Sequence, residues 1–234
     1  MTVKLPRSTL HELERLVEQL TRGDADKRNN AMNRLSDYER SGKIPLDLLL
    51  ELSEAEKPSV SMYAITALGR NGQPSAVNKL IALMEKHKTS NPLFLETIID
   101  ALGDAKNPKA APVLLGLLGI KRGLTGKLFG RRGRKNNPEE EGHNEGLREF
   151  LTLSVIRALE KIQDPGATKL LADYLAHPDP IVRWHIIQTI LKCGLTEFNG
   201  QLREMAGRDD NKLVREMADI AIGKLEPLPP NLNN

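Results

Sequence analysis

A phrase repeated three times constrains this chain more than any other feature. It reads ALGRNGQPSAVNKL at 67–80, ALGDAKNPKAAPVL at 101–114 and ALEKIQDPGATKLL at 158–171. Each copy is the end of an apolar-faced helix, a break, a proline and the start of another helix. Pro74 and Pro108 lie 34 residues apart and Pro108 and Pro165 lie 57 apart, so the second gap holds one unit of 34 plus 23 further residues. A fixed period of this size marks a solenoid, in which each unit buries its apolar face against its neighbours. Such a stack needs no single central core, so 234 residues do not have to divide into two domains.

The composition agrees. Apolar residues make up 39% and aromatic residues only 3%, which leaves Leu, Ile, Val and Ala to build the core, as packed helices do. With 34 basic and 31 acidic residues, the formal charge of +3 is too mild to imply a nucleic-acid partner by itself. The single cysteine, Cys193, cannot form an intrachain disulfide, which fits a reducing compartment. The first residues lack the continuous apolar stretch of a secretory signal. No apolar run approaches the ~20 residues of a membrane span. The expectation is a cytoplasmic protein without a transmembrane segment.

Apolar periodicity predicts helices in pairs. The first starts near Thr9, where Thr9 and Glu12 have the spacing of a capping box. Leu10, Leu13, Leu16, Val17 and Leu20 form its stripe, and a second helix runs from about 25 to 40. Further pairs are expected at 45–55 with 58–70, 74–87 with 92–103, 166–176 with 179–193, and 197–206 with 211–225. Between them a helix opens at Pro108, a residue suited to a first turn, and its partner is expected only at 145–162. The tail from Glu226 is proline-rich and expected to fray.

The second helices of the pairs can be laid over one another. Val60, Phe94, Leu151, Val182 and Val214 share one slot, and Leu68, Leu102, Leu159, Ile190 and Ile222 fall eight places later. The first copy is weaker, with Lys27 in the valine slot. The last two copies carry an Asp before the helix and a Val-Arg pair inside it: Asp179 with Val182-Arg183, and Asp210 with Val214-Arg215. This pattern resembles the HEAT repeat, in particular the short HEAT-like repeat first associated with phycobilin lyases. The resemblance covers 8–225 apart from an insertion. It implies an all-α fold, a right-handed α-solenoid of about six HEAT-like helix pairs with one long inserted loop. It also implies that Asp179, Arg183, Asp210 and Arg215 belong to a structural ladder between repeats, and that the second helices line the concave face.

The insertion, 119–144, carries Lys121, Arg122, Lys127, Arg131, Arg132, Arg134 and Lys135, against Glu139, Glu140 and Glu141. Its net +4, set against +3 for the whole chain, leaves −1 elsewhere, so the positive charge is concentrated in one segment. Six glycines disfavour a fixed helix or strand there. Three readings remain open: a solvated flexible loop, a docking segment for an acidic protein or an anionic lipid surface, and a contact with nucleic-acid phosphates. Leu124, Leu128 and Phe129 among the cations suit a lipid headgroup layer. GLTGK at 123–127 is not a phosphate loop, because Lys121 stands where the glycine belongs and Leu128 where Ser or Thr belongs.

Helical geometry picks out the positions opposite the apolar stripe, two, six and ten places after the valine slot. Down the stack these read Asn29, Asn33, Asp37; Met62, Thr66, Arg70; Glu96, Asp100, Asp104; Leu153, Arg157, Lys161; Trp184, Gln188, Lys192; Glu216, Ile220, Lys224. The strip turns from acidic at Glu96, Asp100 and Asp104 to basic at Arg157, Lys161 and Lys192, with the only tryptophan, Trp184, in the basic half. Tryptophan and arginine are favoured anchors of binding surfaces, so Trp184, Arg157, Lys161, Gln188, Lys192, Glu96, Asp100 and Asp104 are the candidate partner-binding residues. For each, an ordinary solvated or packed helix position is the competing reading.

No chemistry is called for. None of the five histidines lies at i, i+4 from another or at zinc spacing from the cysteine, and no cofactor, metal set or catalytic residue stands out. The expectation is a non-enzymatic scaffold or adaptor that binds a protein partner on its concave face, with the basic loop as a second contact. Two alternatives remain: a lyase-like or chaperone-like factor for a chromophore protein, implied by the resemblance, and binding of anionic lipid or nucleic acid through the loop.

Overall fold

The computed structural model describes residues 6–87, 91–118 and 151–226, and the basic cluster of the insertion lies outside them. The described residues form helices joined by short turns, with no strand among them. The helices are α1 (Arg7–Arg22), α2 (Ala25–Arg40), α3 (Leu46–Leu52), α4 (Pro58–Asn71), α5 (Pro74–Lys86), α6 (Pro92–Asp104), α7 (Ala111–Leu117), α8 (helical over 151–162), α9 (Pro165–Lys169), α10 (Pro180–Lys192), α11 (Asn199–Arg208) and α12 (Lys212–Leu225). Short 3-10 turns at Pro108–Ala110, Ala172–Ala176 and Thr196–Phe198 extend the first helices of the last three pairs.

Consecutive helices pack in pairs, α1 on α2, α3 on α4, α5 on α6, α9 on α10 and α11 on α12, and the pairs stack in two layers. The second helices pack side by side, α2 on α4, α4 on α6 and α10 on α12, while α3 on α5 and α7 on α9 make the other layer. The valine slot and the position eight later point inward as the overlay expects: Val60, Leu68, Leu102, Leu151, Leu159, Val182, Ile190 and Val214 are all buried. Lys27, in the weak first copy, is exposed. The result is an all-α solenoid.

The repeated phrase is itself the contact between repeats. A Cβ placed on Gly69 would stand 2.6 Å from the Ala101 carbonyl oxygen, and one on Gly103 would stand 2.8 Å from the Ala158 Cα. The glycine of one ALG therefore admits the alanine of the next copy, bringing the second helices together at backbone distance. The breaks are equally regular. Gly72, Lys106, Gln163 and Gly194 each lie five residues after the alanine position and all have left-handed φ, between 50° and 65°. Left-handed residues end helices by turning the chain away. The prolines that follow open the next helices, where a missing N–H costs nothing. Asp24, Asn91, Asn107, Asp164, Asp179 and Asn211 cap helix starts by accepting backbone N–H bonds.

Three local expectations are corrected. The capping box at Thr9 and Glu12 does not form. Pro6, with its φ already fixed near −57°, precedes a helix that starts at Arg7, and no side chain caps it. Glu12 instead accepts hydrogen bonds from Tyr38 and Arg34 on α2, tying the first pair together. The segment at Pro108 opens as a 3-10 turn, with the α-helix beginning at Ala111. The helix expected over 166–176 is broken into α9 and a 3-10 turn, although no breaker residue marks the join at Leu170–Leu171.

Candidate functional site

Of the eighteen positions two, six and ten places after the slot none is buried; eleven are exposed and seven half-buried. Those in the last pairs converge. Trp184, Gln188 and Lys192 on α10 face Leu213, Ile220 and Lys224 on α12 across a groove of ≈ 620 Å³. Trp184 is half-buried, its ring edge-on to His185 at 4.9 Å. Leu213 and Ile220 are 65% and 49% exposed. A second groove of ≈ 620 Å³ crosses α2, α4, α6 and α8, and brings Arg70, Asp100, Asp104 and Lys161 together over Met62 and Tyr63. Six of the eight candidate residues therefore fall into two groups, one at Trp184 and one at Asp100, while Glu96 and the exposed Arg157 line neither groove.

Much of the alternating charge is spent between repeats. Lys161 Nζ donates to Asp104 Oδ1 at 2.7 Å, and Ser154 Oγ donates to Glu96 Oε1 at 2.8 Å, both joining α8 to α6. Arg70 grips Glu39 of α2 with two bonds of 2.6 and 2.8 Å. The apparent change of sign thus has its boundary at a set of cross-repeat pairs. Asp100 sits inside this arrangement. Burial raises its carboxyl above the usual carboxylate range; Lys161 and Arg157 oppose the shift, and Glu96 and Asp104 add to it. Nearby, Tyr63 is buried, and burial pushes its hydroxyl pKa up to about 12.

Two polar clusters join α8 to α10 and α10 to the start of the last second helix. In the first, Glu160 is only 8% exposed and stands where the two earlier copies of the phrase have glycine. His185 Nδ1 lies 2.7 Å from its Oε2, and Lys192 donates to its Oε1. Burial alone would raise the Glu160 carboxyl, but these two partners hold it below the ordinary range. The joint between α8 and α10 is therefore an ionic contact in the place of a glycine contact. In the second, the buried Arg183 donates to both carboxylate oxygens of Asp209, at 2.9 and 2.7 Å, to Asp210 at 2.6 Å, and to the His177 and Pro178 carbonyls. Arg215 donates to the carbonyls of Asp209 and Asp210.

The ladder implied by resemblance is thus present in altered form. Arg183 makes the rung between repeats, Asp209 is its main partner, and Asp179 caps α10 through the Ile181 N–H. Sequence reasoning missed Asp209 because Asp209-Asp210 offers two adjacent candidates. It missed Glu160 although the signal was present, as ALE in place of ALG. Cys193 sits 3.3 Å from Thr168 Oγ1, and burial raises its thiol pKa, which works against a reactive thiolate. Among the described residues no group of His, Cys, Asp or Glu could hold a metal ion, and no helix is long and apolar enough to cross a membrane.

A family model of HEAT repeats matches residues 45–122 and 151–223. No curated protein matches the chain. Among solved structures, the chain is similar to the complex of CpcE and CpcF of phycocyanin lyase from Nostoc sp. PCC7120. The identity is 21%, the match covers 95% of this chain and 80% of that one, and the TM-score is 0.53. An engineered protein is matched at 14% identity over 92% of this chain and 96% of that one, with a TM-score of 0.49.

Proposed function

This chain belongs to the HEAT-repeat family, and on that premise we propose that it is a non-enzymatic scaffold that binds a protein partner on the face of its second helices. The reading includes a single solenoid over 8–225, a second contact through the basic segment 119–144, and a cytoplasmic location. The observation that carries it is the open face itself: the eighteen outward positions stay unburied, and grooves on that face collect Trp184, Gln188, Lys192, Asp100, Asp104 and Lys161. Repeat solenoids use extended surfaces of this kind for binding. Crosslinking pull-down with the intact chain, with Trp184→Ala and Arg157→Glu, and with 120–143 deleted tests it. A partner recovered by the intact chain and reduced by both face substitutions is the expected result. A partner unaffected by either contradicts the reading, and one lost only with the deletion moves the interface to the basic segment.

A second reading is a lyase-like or chaperone-like factor for a chromophore protein. It is motivated by the likeness to the phycocyanin lyase complex, which at 21% identity speaks to the fold. A source organism without bilin pigments ends it. Contact of Lys121, Arg122, Lys127, Arg131, Arg132, Arg134 and Lys135 with anionic lipid or nucleic acid is the remaining alternative. Salt-insensitive binding, or binding retained after the deletion, removes that one.

A further inference from the structure

Exposed apolar side chains collect on α12. Among the described residues four large hydrophobic side chains are conspicuously exposed, and two of them, Leu213 and Ile220, lie on this one helix and line the same groove as the only tryptophan. They are seven residues apart, which on a helix is about 10.5 Å along the axis. That spacing equals two turns of a partner helix lying lengthwise in the groove, with apolar side chains at i, i+3 or i+4, and i+7.

The charges around the groove are as ordered as its apolar residues. Lys192 and Lys224 occupy the last turns of α10 and α12, at one end of the groove. Lys192 shares Glu160 with His185 and remains 44% exposed at its side chain, while Lys224 forms no ion pair among the described residues. The one acid on the groove wall, Glu216, is engaged by Lys212 at 3.5 Å. One end of the groove is therefore apolar, at Trp184 and Leu213, and the other is cationic.

We propose that the groove between α10 and α12 receives an acidic amphipathic helix of a partner protein. Its apolar stripe seats on Trp184, Leu213 and Ile220, and its acidic end lies beside Lys192 and Lys224. This rests on the scaffold reading above and names the chemistry of the partner at one part of that face.

The probe is a library of random 16-residue peptides displayed on phage and selected on the intact chain. Counter-selections use Ile220→Glu, Lys224→Glu and Asp100→Lys, all at exposed positions and all checked for an unchanged thermal melt. Selected peptides are expected to be net acidic, with Leu, Phe or Trp at helical spacing. They should shift the emission of Trp184, lose at least tenfold in affinity to Ile220→Glu and Lys224→Glu, and weaken as salt rises. Peptides that are neutral or basic, or that bind Ile220→Glu as well as the intact chain, overturn the proposal. If enrichment depends on Asp100 and not on Ile220, the groove is wrong and the scaffold reading stands. If no enrichment depends on any of the three positions, both fail.

Discussion

Arg183 is 7% exposed, and each of its donors has a partner within 3.0 Å, so it is a structural residue of the joint between the last two repeats. Replacing it by methionine leaves the Asp209 carboxylate, itself 8% exposed at the side chain, without its counter-charge. Breaking a buried pair on one side costs about 3–5 kcal/mol. The variant should therefore lose stability of that order in urea unfolding at pH 7. The sign with pH follows from Asp209, whose carboxyl is held low by Arg183 against the opposing effect of burial. A depressed folded-state pKa contributes stability that is fully present above the ordinary Asp value of about 3.9 and is lost as pH falls through the folded value. Between pH 7 and pH 3, Arg183→Met should lose less stability than the parent chain. Lys106 and Gln163 adopt φ of 50° and 55° at helix ends where Gly72 and Gly194 stand in the equivalent copies. A non-glycine residue there costs roughly 1–2 kcal/mol, partly offset by the greater chain entropy of glycine. Lys106→Gly and Gln163→Gly should each stabilise by about 0.5–1 kcal/mol, read as a rise in Tm.

Between helices, the close approach of Gly69 to Ala101 and of Gly103 to Ala158 sets how the second helices stack. An added methyl at either glycine must push two backbones apart. Gly69→Ala and Gly103→Ala should each destabilise by about 1–3 kcal/mol, despite the better helix propensity of alanine, and denaturant unfolding measures it. At this scale the sequence was largely legible. The valine-slot overlay placed Val60, Leu151, Val182 and Val214 in the core, with Phe94 half-buried, because a 3.6-residue period and a fixed repeat determine the row together. The first-turn prolines Pro74 and Pro165 also marked helix starts. What was not legible depends on contacts between repeats. Glu12 has capping-box spacing, yet it reaches across to Tyr38 because Pro6 starts the helix earlier. Lys161 and Asp104 read as opposite halves of a charged strip, and only the packing of α8 on α6 places them 2.7 Å apart. Ile220 read as an outward position and Leu213 was not singled out; both are exposed.

Across the whole molecule, two helical layers divide the work. The first helices and the inward slots hold the stack together, while the second helices leave one side open from α2 to α12. In a solenoid each joint contributes separately to stability. The joints here differ in chemistry: glycine against alanine from α4 to α8, Glu160 with His185 and Lys192 between α8 and α10, and Arg183 with Asp209 into the last repeat. The candidate residues on the open face were legible as a row, because helical geometry alone selects them. Their division into a groove at Trp184 and a groove at Asp100 required the three-dimensional stack. The central claim is that this open face is where a protein partner binds. Site-specific photocrosslinking in the native cell tests it most directly, with the crosslinker placed at Gln188 on α10 or at the exposed Gln201 on α11 in the opposite layer. The account predicts one discrete crosslinked protein from position 188 and none from position 201. Crosslinking from 201 alone, or equally from both, would contradict it.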